Sequence, residues 1–339
     1  LMVLESYYLF DSIYKYPHVI SLITPIFFIP FIYCFFASVK GEKLKIVAYV
    51  IFTVFLGNLI FLRAGNLSWN AFVEGDRGLE STALLMLTLP LFYFFNKYLQ
   101  ENKFTQLIMF FICLAFVIFF QHRTVWFGTI FGFFINILLL KTHLKIPLKT
   151  KTLLPLYLFP LIFLFFLSIF IFSEKPEIIQ TLSERFTEVK DYKVKGTANW
   201  RLRQFISYWP FITDHIWFGM RLEGFELPIQ FYRSMEQTGT AYFDDNTGHH
   251  IHNFYIHIMF YFGIAGLIIL LAPIFYILRK FYKRESLNTE ELTLFAFIVC
   301  GLVYGIAYSI PPYYFGLIGI AYSYISKSTA EKPILKGQY

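Results

Sequence analysis

Long apolar runs, each closed by a charged or prolyl break, alternate along this 339-residue chain. They fall at about 19–39, 46–62, 79–95, 104–120, 124–140 and 152–172. After a hydrophilic stretch over about 173–251 come 253–278, 292–310 and a shorter run between the Pro311–Pro312 break and about Ser326. A helix that crosses the hydrocarbon layer needs about 20 apolar residues. The pattern therefore predicts an all-α, polytopic integral membrane protein with about nine or more transmembrane helices and one long extracytoplasmic helical loop. Residues 1–172 carry helices one to six, 173–251 the loop, 252–326 helices seven to nine, and 327–339 a cytoplasmic tail.

Composition agrees. The chain is 57% hydrophobic, 22% aromatic and 15% charged, with a mean hydropathy of +0.57; a soluble domain carries about 25% charged residues. The net charge of +7 does not point to nucleic acid, because of where it sits. Lys40, Lys43 and Lys45, then Lys97 and Lys103, Lys141 to Lys151, Arg279 to Arg284 and the tail lysines all fall on one side when the runs alternate. That is the positive-inside pattern, and it makes this side cytoplasmic. The long loop holds 9 Lys/Arg against 11 Asp/Glu, so it offers no basic surface to a polynucleotide. The same alternation puts residue 1 outside, which implies a helix upstream or a first run that does not cross as read. Cys34, Cys113 and Cys300 each lie in an apolar run, as buried, unreactive thiols do.

Within the loop, Ile178, Leu182, Phe186 and Val189 recur at helical spacing after Pro176, and a second helix is expected from about Ala198. On that second helix Leu202, Phe205, Ile206 and Trp209 share one face, while Arg201, Gln204 and Tyr208 lie on another. Such a helix can rest at the membrane interface or pack on the outer ends of the spans.

The candidate chemistry gathers on the outer side. None of the runs has a charged residue near its middle, and Asn58, Asn136 and His257 are the notable polar residues at depth. Ion- and proton-coupled carriers need charged groups there, so a coupled transporter is disfavoured. Arg63, Arg77, Arg123, Arg201, Arg203 and Arg221 are all expected outside, and arginine suits bidentate contact with phosphate. Arg123 is held between two spans with almost no loop. His249, His250, His252 and His257 cluster at the entry of the seventh run; histidine is the natural proton acceptor near neutral pH. Asp244 and Asp245 with His249, His250 and His252 form a rival, metal-binding set of ligand types, although no standard zinc spacing is present. Gly263 and Gly266 suit close helix packing.

An enzyme working outside a bacterial membrane has no nucleotide pool. It needs a donor that arrives activated and anchored in lipid, and a polyprenyl-diphosphate-linked sugar meets both demands. Arginines would hold the diphosphate as it leaves, a histidine would take the proton of the attacking hydroxyl, and a groove between spans would hold the lipid tail.

Three stretches carry a family resemblance: Arg123-Thr124-Val125-Trp126; Asn199-Trp200-Arg201 through Trp209, Ile216-Trp217-Phe218-Gly219 and Gly224; and His252-Asn253-Phe254-Tyr255 running into Gly263-Ile264-Ala265-Gly266-Leu267. The chain resembles the O-antigen ligase and O-antigen polymerase family of bacterial membrane glycosyltransferases. The resemblance implies an inverting, metal-independent transfer without a cofactor, at the face of the inner membrane toward the periplasm or cell exterior. It implies His252 as base, and diphosphate binding by Arg123 and by Arg201 or Arg203, with His249, His250, Arg221 and Arg63 as supporting candidates. The implied partners are an undecaprenyl-diphosphate-linked glycan donor, a lipid A core or lipid-linked glycan acceptor, and membrane lipid. A non-enzymatic transporter of polysaccharide or lipid-linked glycan is the alternative.

Overall fold

The computed structural model describes residues 2–12, 24–39, 41–62, 78–144, 150–174, 197–226, 229–230, 248–249 and 251–330. Each apolar run carries a helix. In chain order these are α1 (Met2–Phe10), a 3-10 turn (Thr24–Phe27) leading into α2 (Phe28–Ser38), α3 (Lys43–Leu62), α4 (Ser81–Glu101), α5 (Phe104–Phe119), α6 (Arg123–Leu139) and α7 (Thr150–Glu174). Then follow α8 (Thr197–Asp214), a short α9 (Glu223–Glu226), α10 (Phe254–Tyr282), α11 (Thr289–Tyr304) and α12 (Pro312–Ala330). Two-residue strands, β1 (Ile229–Gln230) and β2 (Gly248–His249), pair in parallel. The helix expected from about Ala198 is α8; the one expected after Pro176 lies outside the described residues. Among the described residues four helical segments are long and apolar enough to cross a membrane: Lys43–Leu62, Ser81–Glu101, Arg123–His143 and Phe254–Tyr282.

The bundle is built around α4 and α11. Of the crossing helices α4 is the least apolar yet 78% buried, against 33% for α3 and α10. In lipid the outward face can be wholly apolar, so polar groups turn inward and bond across helices. Asn136 Nδ2 donates to Asn96 Oδ1 at 2.9 Å, and Asn96 Nδ2 donates to Thr293 Oγ1 at 3.1 Å, joining α6, α4 and α11. Asn136, a polar residue at depth in the sequence, is thereby a bundle tie. Gly128 and Gly132 let α6 approach: a Cβ on Gly132 would lie 2.5 Å from the Phe92 ring, and one on Gly128 2.9 Å from the Cys300 carbonyl oxygen. Cys113 and Cys300 are buried, but Cys34 is exposed; α2 packs on α12 with its other face, so the expectation of burial fails for Cys34.

Polar contacts collect at the two ends of the bundle. At one end Lys97 pairs with Glu42 at 2.8 Å and Glu101 at 2.9 Å, and Lys43 Nζ donates to Ser323 at 2.9 Å. Arg284 pairs with Glu291, which also completes a capping box with Asn288 at the start of α11. His143 meets Tyr282 edge-on. The described basic breaks therefore gather at a single end. At the other end the His122 ring lies 2.8 Å from the Leu79 carbonyl oxygen, Ser81 and Tyr304 share a hydrogen bond of 2.7 Å, and Tyr313 donates to the Thr82 carbonyl.

Helix α10 is not the continuous rod that its apolar run suggests. Gly263 has φ 65° and ψ −165°, which breaks the helix. The backbone groups freed there are taken up by the turn after α8: Met220 N donates to Phe260 O (2.7 Å), Arg221 N to Tyr261 O (3.0 Å), Ile264 N to Ile216 O (2.9 Å) and Ala265 N to Trp217 O (3.1 Å). An unpaired backbone group in an apolar setting costs several kcal/mol, so the break requires this turn. The two chains meet backbone to backbone. A Cβ on Gly263 would stand 2.4 Å from Trp217 C and O, and one on Gly219 (φ 68°) 2.5 Å from Phe262 N. Gly263 serves this junction rather than helix-against-helix packing.

Candidate functional site

Helix α8 brings the first component. Its inward face carries Arg201, Gln204 and Tyr208, the face expected from their spacing; Gln204 and Tyr208 are buried. The Arg201 guanidinium lies over the Tyr308 ring, 4.9 Å from its centroid. Tyr308 in turn stacks on Tyr304, with centroids 5.1 Å apart and planes at 22°, and Tyr304 is anchored to Ser81. A cation over an aromatic face is held by the ring quadrupole, so Arg201 rests on a two-ring platform fixed to α4.

The second component enters at the start of α10. Asn253 caps the helix, its Oδ1 accepting from Tyr255 N (2.9 Å) and Ile256 N (3.1 Å), as an N-cap asparagine does. Its Nδ2 donates to Ile306 O at 2.6 Å, and Phe254 N donates to Gly305 O at 2.9 Å. The turn over residues 305–308 after α11 thus holds both components, Arg201 through Tyr308 and the His252-Asn253 pair through Ile306 and Gly305.

Between them lies a cavity of about 320 Å³. Arg201, Gln204 and Asn253 give it polar corners, and Leu202, Phe205 and Ile256 contribute apolar wall. His252 is not itself a wall residue; it sits in the chain between two that are, Ile251 and Asn253. Its side chain keeps some exposure, yet the packing around it, first, and the Arg201 charge, second, lower its pKa below the ordinary histidine value. Both causes disfavour the imidazolium. Both therefore favour the neutral ring, the form able to accept a proton.

The other sequence candidates fall as follows. Arg123 is exposed at the first residue of α6, and its neighbour His122 ties that helix start to Leu79, two residues from the Ser81 that anchors the Tyr304–Tyr308 platform. It therefore shares the end of the bundle that holds Arg201 and His252. Arg221 is exposed, with φ 48°, and its Nε is 3.5 Å from Glu5 Oε1 of α1; it is not among the cavity's wall residues. Arg203 lies on α8 and His249 on β2, but their side chains fall outside the described residues. Arg63, His250, Asp244 and Asp245 lie wholly outside them. His257 is buried on α10, edge-on to Tyr261 at 5.2 Å. Among the described residues no cluster of His, Cys, Asp or Glu has the makings of a metal site.

Sequence inspection missed Tyr308 and the tethering role of Asn253. The available signal was the i, i+4 spacing of Tyr304 and Tyr308, which says only that two aromatic rings share a face. That the face receives an arginine about 100 positions earlier in the chain is a property of the fold.

An all-helical bundle with membrane-length helices marks a membrane protein, and at one end of it Arg201 lines a cavity with His252 close by. A family model described as O-antigen ligase matches residues 108–271, and over that stretch the chain is similar to the O-antigen ligase family. The match includes Arg123, Arg201, Arg203, Arg221 and His252, and ends before Tyr304 and Tyr308. No curated protein matches the chain.

Proposed function

We propose that the protein is a membrane glycosyltransferase that moves a glycan from undecaprenyl diphosphate to an acceptor hydroxyl. The observation that carries this is Arg201 on the wall of a partly apolar cavity, with His252 between two of its wall residues and within reach of the Arg201 charge. His252 takes the proton of the acceptor hydroxyl as its oxygen attacks the anomeric carbon. The bond from that carbon to the diphosphate oxygen breaks, the electron pair leaves with undecaprenyl diphosphate, and the configuration inverts. Arg201, joined by Arg123 and by Arg203, neutralises the departing diphosphate; such preorganised charge is typically worth a few kcal/mol in the transition state. The cavity's apolar walls suit the first isoprene units. The chemistry asks for no metal. The nine apolar runs cross the bacterial inner membrane, the basic end is cytoplasmic, and the site faces the periplasm or cell exterior. The acceptor is the lipid A core, or a second lipid-linked glycan if the chain polymerises repeats.

The test is transfer by the purified chain in liposomes, supplied with undecaprenyl-diphosphate-linked glycan and each acceptor in turn, with the new glycosidic bond read by mass spectrometry. His252→Ala is expected to lower the rate at least about 100-fold while the protein stays folded. A fully active variant, or movement of the glycan across the membrane without a new bond, sinks the proposal. Activity that survives a chelator disposes of the metal alternative.

A further inference from the structure

The face of α8 turned away from the buried Gln204 and Tyr208 is apolar and outward. Leu202, Ile206 and Trp209, at i, i+4 and i+7, are 54%, 52% and 45% exposed, while Gln204, three residues from Arg201, is buried. For a helix in water this is inverted. The turn that follows extends the exposed surface with Ile216, Trp217 and Phe218, the last two each 67% exposed.

The junction with α10 sets the depth of that turn. Ile216 and Trp217 are hydrogen-bonded to Ile264 and Ala265. The far end of α10 is marked by Arg279, Lys280, Lys283 and Arg284. From Leu278 back to Ile264 a helix rises about 21 Å, and any tilt or bend shortens that rise. The hydrocarbon layer is about 30 Å thick. The turn therefore docks within the apolar layer or at its outer boundary. Exposed charged and polar groups on either side, Asp214 and His215 before it and Arg221 and Glu223 after it, keep it from sinking further. Its exposed side chains also continue the outward apolar belt of α10, where Ile268 and Ile269 are 60% and 62% exposed.

We infer that Ile216, Trp217 and Phe218, with Ile206 and Trp209, form a membrane-seated surface whose partner is the acyl region of the leaflet opposite the basic end of the bundle. In this arrangement α8 lies along the membrane boundary, polar face on the bundle and apolar face in lipid, and the Ile216–Gly219 turn enters the leaflet as a wedge. Trp217 and Trp209 have the amphipathic ring that favours this level of a bilayer. The inference does not depend on the reaction proposed for the site.

Trp217 is its own probe. The full-length chain and Trp217→Phe are reconstituted in phosphatidylcholine vesicles, and the difference between their emission spectra isolates Trp217. The expected component is blue-shifted, quenched several-fold more by lipids brominated near the glycerol end of the acyl chain than by lipids brominated near the methyl end, and shielded from acrylamide. A second reporter is a spin label at Phe218→Cys in a Cys34→Ser background. It should collide more with oxygen than with a water-soluble nickel chelate, and a label at Asp214→Cys should show the reverse. Quenching of Trp217 by acrylamide, or a Phe218 label as open to the chelate as the Asp214 one, overturns the inference. So does shielding from both brominated lipid and acrylamide, the result expected if a protein surface covers the turn.

Discussion

In the proposed reaction the pH behaviour follows from the His252 pKa, which packing, first, and the Arg201 charge, second, hold below the ordinary value. Packing and the guanidinium both destabilise the imidazolium, so the proton leaves at a lower pH than the ordinary value of about 6.5. As the proposed base, His252 would be competent above that lowered pKa and lost as pH falls through it. The acid limb of kcat/KM should lie below pH 6.5. Arg201→Gln removes one of the two causes, so the limb should move to higher pH while the rate falls. A limb that stays in place in Arg201→Gln shows that the two groups are not coupled. Tyr308 belongs to the same argument, because it holds the guanidinium over its ring. Tyr308→Leu should raise KM for a diphosphate-linked donor and move the acid limb, whereas Tyr308→Phe keeps the ring and should do neither; a cation–π contact of this kind is worth about 0.5–2 kcal/mol, or about 2- to 30-fold. Equal effects of the two variants would assign the loss to the hydroxyl rather than to the ring.

At the scale of elements, the break in α10 and the turn after α8 exist only together. Their four backbone hydrogen bonds replace those an unbroken helix would make, and the two glycines at positive φ allow the contact. Gly263→Ala combines a backbone conformation essentially confined to glycine, costing about 1–3 kcal/mol for an L-residue, with a collision against the Trp217 carbonyl. Its apparent Tm in detergent should fall well below that of Gly57→Ala. Gly57 lies in α3 with nothing within 4 Å of its added Cβ, so there alanine should be neutral or stabilising by up to about 1 kcal/mol. Comparable Tm values for the two variants would mean that the junction does not hold the bundle. The junction also links α8, which carries Arg201, to α10, which begins just after His252, so a loosened junction should cost activity before it costs folding.

The whole molecule is polarised along its axis. One end gathers Lys43, Lys97, Arg284 and their acidic partners; the other holds Ser81, Tyr304, Tyr308, Arg201 and His252. Cysteines at the exposed positions Glu42 and Glu285 should therefore react with an impermeant maleimide from one side of sealed vesicles, and cysteines at Glu80 and Ile306 from the other. Labelling of all four from one side would break the two-ended arrangement. In this bundle the outward surface is apolar and the polar ladder Asn136–Asn96–Thr293 is interior, the inverse of a soluble core, because lipid offers no partner for an amide.

Much of this was readable along the chain. The apolar runs are long and sharply bounded, so helix positions follow from hydropathy. That Arg201, Gln204 and Tyr208 share one face of α8 follows from spacing, though not that this face turns inward, and the gathering of the described basic breaks at one end follows from alternation. These are local or periodic properties, carried by neighbours within a few residues. What the sequence could not disclose is set by contacts between distant segments. The break at Gly263 depends on a turn some 45 residues earlier, and the platform beneath Arg201 depends on Tyr308, about 100 residues later. Cys34 is exposed because α2 offers its other face to α12. Hydrophobic periodicity says which residues avoid water; only tertiary packing decides which partner each backbone group and each charge finds once water is gone.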